Sequence, residues 1–282
     1  MELNEQLRAE IQRNVAAALA EDIGTGDLTA RLIPAETEAR GRVISRESAV
    51  LCGIPWFQST FLALAPESRI VWHVQDGDPI VPEQPICDIS ANARALLTAE
   101  RTALNFLQLL SSTATLTRSF VDAVRGTRAK IVDTRKTLPG LRLAQKYAVA
   151  VGGGINHRVG LYDGVLIKEN HIIAAGGIAQ AFTRAQALAP SNVFIEVEVE
   201  NLAELQEALE AGAKMILLDN MSNEDMAEAV RITAGRAELE ASGGVDLERV
   251  RDYAELGVDR ISIGRLTKDV RAVDLSLRHV EE

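Results

Sequence analysis

Cysteine is scarce in this chain: Cys52 and Cys87 are the whole supply in 282 residues, and they stand in no metal-ligand or redox spacing. Two buried thiols in a reducing compartment are the expectation. Long apolar runs are missing as well, and none reaches the length of a membrane span. The opening stretch MELNEQLRAEIQRN is charged and helical in pattern, unlike a signal peptide. A cationic surplus is also absent. Asp and Glu number 40 against 30 Lys and Arg, a formal net charge of −10, which argues against nucleic-acid and membrane-surface roles. No HExxH, GxxxxGK(S/T) or GxSxG pattern occurs, so zinc-protease, P-loop and serine-hydrolase readings fall away. What remains is a soluble cytoplasmic protein, 47% hydrophobic and 25% charged, long enough for a large core in one or two domains.

Taken in order, the chain opens on Leu3, Leu7, Ile11, Val15 and Leu19, four apart, which predicts an amphipathic helix. Gly24 and Gly26 follow in an acidic turn, but Thr29 leaves any dinucleotide fingerprint incomplete. Residues 39–90 read as short strands divided by Asp-Gly and Pro turns, with one helical run over Ile54–Leu64. Two helices are expected next, Arg94–Leu110 and Thr113–Arg125. Leu96, Leu97, Leu104, Leu107 and Leu110 form the buried stripe of the first, and Arg101 falls outside it.

Beyond residue 128, strands alternate with helices: KIVD, GVLIK, NVFIEVEV, KMILLD, AELEAS and DRISIG. The last four strand centres recur about every 22 residues, the period of a (β/α) barrel or doubly wound sheet. No glycine-rich phosphate loop opens the first strand–helix turn, so the barrel is preferred. The tail, Ala272–His279, reads as a further helix. The predicted fold is α/β: an N-terminal α+β sandwich-like domain (1–111), then an incomplete (β/α) TIM-like barrel (112–270), with 271–282 packing back on the first.

Chemistry in such a barrel belongs at the carboxyl ends of the strands. There this chain places Thr134-Arg135-Lys136, Lys168-Glu169-Asn170, Glu198 and Glu200, Asp219-Asn220, Ser242-Gly243-Gly244 and Gly264-Arg265. Glu196 and Glu198, two apart on one strand, point the same way into something polar. SGG and SIGR close the last two strands. Either alone fits a plain turn, but together they favour a phosphate site. The segment 133–171 is a cationic island in an acidic chain: Arg135, Lys136, Arg142, Lys146, His157, Arg158 and Lys168 face only Asp133, Asp163 and Glu169. That balance points to a small, strongly anionic ligand.

Within the island, DTRKTLPG, then KYAV–GGGINHRVGLYD, then LIKENH resemble the quinolinate phosphoribosyltransferases, decarboxylating enzymes that make nicotinate mononucleotide. The resemblance covers nearly the whole chain. It implies that Arg135, His157, Arg158 and Lys168, with Thr134, hold quinolinate, and that Arg101 reaches the neighbouring active site of a homodimer. It implies phosphate contacts from Lys136, Ser242, Gly243, Gly244, Ile263 and Gly264. Arg265 either adds one or points outward. Glu198 and Asp219 match the family's acidic pair, which stabilises positive charge at the ribose, holds its hydroxyls, or carries Mg²⁺ with the pyrophosphate. Lys136 and Lys168 are then catalytic as charges. Their competing use as Schiff-base lysines in an aldolase-like barrel, a nicotinate-specific transferase, and an inactive binding barrel are the alternatives. His73 and His279 read as structural, and His171 as a brace for Lys168.

Overall fold

Asn4 accepts the Leu7 N–H and starts helix α1 (Glu5–Ile23), which buries Ile11, Val15 and Leu19 as their spacing requires. This computed structural model describes residues 3–280. Asn14 is buried on the same face because its amide oxygen takes the Trp56 indole N–H at 3.0 Å. Strands β1 (Glu38–Ser45) and β2 (Ala49–Val50) precede α2 (Ile54–Leu64), and β3 (Arg69–Trp72), β4 (Pro79–Ile80) and β5 (Pro85–Asn92) follow it.

Helix α3 (Ala93–Ala123) is continuous, where two helices were expected. Between the two expected helices the chain stays helical, and hydroxyls there serve a neighbouring backbone. Ser111 Oγ accepts the Cys52 N–H (2.9 Å) and donates to the Cys52 carbonyl (3.1 Å), and Thr115 Oγ1 accepts the Val50 N–H (2.8 Å). Each bond contributes on the order of 1 kcal/mol, and a stranded buried N–H would cost more. Arg101 is exposed on this helix.

The second half continues with β6 (Lys130–Val132), α4 (Arg142–Val151), β7 (Gly164–Ile167), α5 (Glu169–Ala175), α6 (Ile178–Leu188) and β8 (Phe194–Val199). Then come α7 (Leu202–Glu210), β9 (Met215–Asp219), α8 (Asn223–Thr233), β10 (Glu238–Ser242), α9 (Val250–Glu255), β11 (Arg260–Ser262), α10 (Arg265–Lys268) and β12 (Leu275–His279). The tail is thus a strand, not the expected helix. Leu275 and Leu277 alternate with polar residues at the period of a strand, and β12 satisfies an edge of β1, with Leu277 opposite Val43.

The chain divides into two compact units. One takes the chain up to Arg118, Leu138–Gly153 and everything from Thr267; the other takes Ser119–Thr137 and Gly154–Leu266. In the first, described residues form an antiparallel sheet of order β12-β1-β5-β3. Val43, Phe57, Ile86, Ile89, Leu96 and Leu104 pack as its core, each buried side chain contributing about 1.5–3 kcal/mol. Helix α4, which carries Arg142 and Lys146, belongs to this unit.

In the second unit, six described strands run parallel in the order β6-β11-β10-β9-β8-β7. Starting at β7, neighbours follow chain order to β11 and then return to β6, as the wall of a barrel does. One face is aliphatic and buried: Ile131, Val197, Val199, Ile216, Leu218, Leu239 and Ile261. The alternate face, in register, carries Glu196, Glu198, Asp219, Glu240, Ser242, Arg260 and Ser262, beside the apolar Met215, Leu217 and Val132. The chain is therefore an α/β protein with an antiparallel N-terminal sheet and a parallel C-terminal one, as its sequence pattern predicts.

Candidate active site

A polar face inside a parallel sheet is costly to bury unless its groups answer one another, and here they do so in four groups. At the ends of β6 and β11, Thr134 Oγ1 accepts the Lys136 N–H (3.1 Å), and the Lys136 side chain runs over Gly264. A Cβ at Gly264 would meet Lys136 Cδ at 2.9 Å, so the glycine is what lets that lysine lie there. At the ends of β7 and β8, Lys168 Nζ pairs with Glu198 Oε2 at 2.6 Å, the lysine exposed and the carboxylate mostly shielded. His171 Nδ1 accepts the Lys168 N–H (3.0 Å) in a capping box, which fits the brace expected of it.

The ends of β9 and β10 interlock. The Asn220 N–H donates to the Ser242 carbonyl (3.0 Å), and its side-chain amide donates to Asp219 Oδ2 (2.9 Å). Asn220 has φ +52°, a left-handed conformation asparagine tolerates. Gly243 has φ +108°, and a Cβ there would come within 2.1 Å of Asn220 Oδ1. The structure thus brings Asp219 beside Ser242 and Gly243, while Gly244 is exposed with open space around it. Ile263 is buried on the aliphatic face, and its N–H donates to the Val132 carbonyl, so the glycine after it is the one that meets the polar edge. Arg265 opens α10 and is exposed.

The fourth group lies deeper. His157, Glu196 and Glu240 are all buried, with Arg260 beside them. His157 Nε2 is 2.8 Å from Glu196 Oε2 and 3.8 Å from Glu240 Oε1, while Arg260 Nε donates to Glu240 Oε2 at 2.9 Å. One oxygen of each carboxylate has no hydrogen-bond partner. Burial, and then the Glu196 charge, lift Glu240 from 4.5 to about 7, against the pull of His157 and Arg260. Arg158 follows His157 in sequence. Its guanidinium pKa is lowered by burial first and then by the charge of Arg135. Arg158 Nη1 donates to the Gly164 carbonyl (3.0 Å), and Asp163 accepts the N–H groups of Val159 and Gly160.

Sequence reasoning marked Glu196 as inward-facing but did not join it to His157; it named Asp133 without giving it a role and passed over Glu240 and Arg260. The alternation in AELEAS, which puts Glu238, Glu240 and Ser242 on one face, carried that signal. For Mg²⁺, Glu198 on β8 and Asp219 on β9 offer hard carboxylate oxygens on one face of neighbouring strands. That suits an ion that takes one or two protein carboxylates and completes its shell with phosphate and water. Glu200 nearby is pushed up by partial desolvation and then by Glu169, Glu204, Asp219 and Glu198, the mark of an acid-rich edge that a cation would relieve.

Strand ends carrying guanidiniums, lysines, an acid pair and glycine-lined backbone suit a parallel-sheet α/β enzyme for small anionic substrates. Comparison with known proteins narrows the class. A family model for the quinolinate phosphoribosyl transferase N-terminal domain matches residues 27–111, and one for its C-terminal domain matches 113–278. Nicotinate-nucleotide pyrophosphorylase (carboxylating) of Mycobacterium leprae (strain TN) is 44% identical over 274 residues, covering 93% of this chain and 95% of that protein. A probable enzyme of the same name from Bacillus subtilis (strain 168) is 41% identical over 257 residues, 91% of this chain and 89% of that one. The solved nicotinate-nucleotide pyrophosphorylase of Francisella tularensis matches with a TM-score of 0.94 and 45% identity, over 99% of this chain and 98% of that chain. The chain belongs to the quinolinate phosphoribosyltransferase family.

Proposed function

We propose that this chain transfers the phosphoribosyl group of phosphoribosyl pyrophosphate to the ring nitrogen of quinolinate. Loss of pyrophosphate and CO₂ then gives nicotinate mononucleotide for NAD synthesis. The observation that carries the site-level reading is the gathering of charge at the strand ends of the second unit. Arg135 follows β6, Arg158 precedes β7 and donates to the Gly164 carbonyl, and Lys168 at the end of β7 pairs with Glu198 on β8. Two adjacent carboxylates on a flat ring suit paired guanidinium forks and a lysine. Thr134 lines the same edge. Lys136, with Gly264 beneath it, and Ser242, Gly243 and Gly244 take the phosphates, with Ile263 as the strand residue that sets Gly264 and with Arg265 at the helix start. His157 serves the same substrate through Arg158, since its ring nitrogens face Glu196 and the Arg158 amide.

Attack by the ring nitrogen on the anomeric carbon expels pyrophosphate through an oxocarbenium-like state, whose charge Glu198 and Asp219 stabilise. The product is a pyridinium. Its C–C bond to the carboxylate beside the nitrogen breaks, CO₂ leaves, and the electron pair stays on carbon beside the positive nitrogen until a proton replaces it. Lys168 and Lys136 work as fixed charges in this scheme, without a Schiff base. Mg²⁺, held by Glu198 and Asp219, would neutralise charge on the departing pyrophosphate.

The enzyme is proposed to be a cytoplasmic homodimer in which Arg101 enters the neighbouring site. Its exposure on α3 fits that role, and among the described residues no helix is long and apolar enough to cross a membrane. Purified protein given quinolinate, phosphoribosyl pyrophosphate and Mg²⁺ should release nicotinate mononucleotide and CO₂; neither product appearing would refute the reading. Calorimetry should show quinolinate binding well above nicotinate, and Arg135→Ala should abolish that preference. Mixing Arg101→Ala with Lys168→Ala protein should restore activity through hybrid dimers. No rescue in verified hybrids would refute the shared site.

A further inference from the structure

Each ring nitrogen of His157 has its own partner, and together the two partners settle where the ring proton lies. Nδ1 is 2.8 Å from the backbone nitrogen of Arg158 and accepts its N–H. An amide N–H can only donate, so Nδ1 is bare and the proton sits on Nε2. Nε2 then donates to Glu196 Oε2 at 2.8 Å. The His157 N–H is tied in turn to Asp133 Oδ1 (2.8 Å), at the end of β6. The result is a directed chain: Arg158 N–H to Nδ1, and Nε2–H to Glu196.

Two uses of this buried cluster compete. Ligand atoms of His157, Glu196 and Glu240 lie within 4.8 Å of one another, close enough for a divalent cation. A cation on Nε2 would force the ring proton onto Nδ1, where it would meet the Arg158 N–H, donor against donor. Arg260 on Glu240 adds a further positive charge at the same spot. Both facts weigh against a metal and leave orientation as the cluster's work.

We propose that Glu196 is a positioning residue. It holds His157 in the Nε2–H tautomer, whose bare Nδ1 ties down the Arg158 backbone and so aims the Arg158 guanidinium at a substrate carboxylate. The inference rests on the quinolinate reading of Arg158. Its effect falls on binding, because the group it aims recognises a carboxylate and does not touch the bonds that break.

The test joins ¹⁵N NMR of His157, recorded without substrate, to steady-state kinetics on wild type, Glu196→Gln and Glu196→Leu. Glutamine keeps an oxygen for Nε2–H, whereas leucine keeps the volume and removes the acceptor. Wild type and Glu196→Gln should show protonated Nε2 and bare Nδ1, with quinolinate KM unchanged within about threefold. Glu196→Leu should lose that tautomer's dominance and raise quinolinate KM about tenfold or more, with kcat and the KM for phosphoribosyl pyrophosphate moving far less. A purely packing role would lower stability in Glu196→Leu without splitting KM from kcat. The proposal is overturned by a wild-type Nδ1–H, by a folded Glu196→Leu with normal quinolinate KM, or by Zn²⁺ titration converting Nε2 to a metal-bound signal. Should Glu196→Leu not fold, a tenfold KM rise in Glu196→Gln with its tautomer intact would overturn it equally. Inactive wild type with the expected tautomer would instead point to failure of the quinolinate reading.

Discussion

The two sheets of this protein treat charge in opposite ways. In the antiparallel sheet, the charged cluster of Arg42, Asp88 and His73 lies on the solvent side, and the other side is Val43, Cys87 and Ile89. In the parallel sheet both faces are shielded to some degree, yet one of them carries Glu196 and Glu240 in full burial, with Arg260 half-buried beside Glu240. A sheet built for stability alone gains nothing from buried carboxylates, since well-packed apolar side chains would serve as well or better. Between the two sheets, charge is retained despite its cost only where the proposed site would use it.

The largest expected effect tests that contrast directly. On the proposed reading, in which Glu198 stabilises charge at the reacting carbon, Glu198→Ala should lower kcat about 10²–10³-fold, while quinolinate affinity by calorimetry changes little. Wild-type kcat in the variant would place function elsewhere. Gly243→Ala comes next. With φ at +108° and Asn220 Oδ1 in the way, it should cost about 2–4 kcal/mol in urea unfolding, against about 1 kcal/mol for Gly244→Ala, which has open space. Equal losses would break the argument from the interlocked strand ends.

Glu240 sharpens the comparison through pH. Its folded-state value of about 7 lies above the ordinary 4.5. The folded state therefore holds this proton more tightly than the unfolded state, and stability falls as pH rises between those values and stays lower above them. Relative to wild type, Glu240→Gln should gain about 1–3 kcal/mol between about pH 5 and about pH 8. Parallel stability profiles for the two proteins would refute the assignment. The smallest effect belongs to the antiparallel sheet: Arg42→Ala breaks an exposed pair and should leave the urea unfolding midpoint close to that of wild type, with no change in kinetics.

Much of this was legible before any coordinates. The four-residue spacing in α1, the Ile54–Leu64 helix and all six parallel strands follow from periodicity, because a buried face imposes its own repeat on the chain. The polar strand ends were legible for the same reason. Two misreadings have particular causes. Local pattern does not show that residues 93–123 run on as one helix, with Ser111 and Thr115 supplying hydroxyl partners for the Cys52 and Val50 N–H groups. The tail looks helical until the free edge of β1 claims it as a strand. Both depend on groups far away in sequence, which local pattern cannot supply.

Residue types and their spacing by themselves determined that this chain forms a parallel α/β sheet with charges at its strand ends. They also determined that those charges suit a small anion. Only tertiary structure decided that Lys168 meets Glu198, that Asn220 crowds Gly243, and that His157 turns one nitrogen to an amide and the other to Glu196. The physical reason is range: backbone periodicity acts over a few residues, whereas a hydrogen bond's direction is set by whichever strand the fold brings alongside.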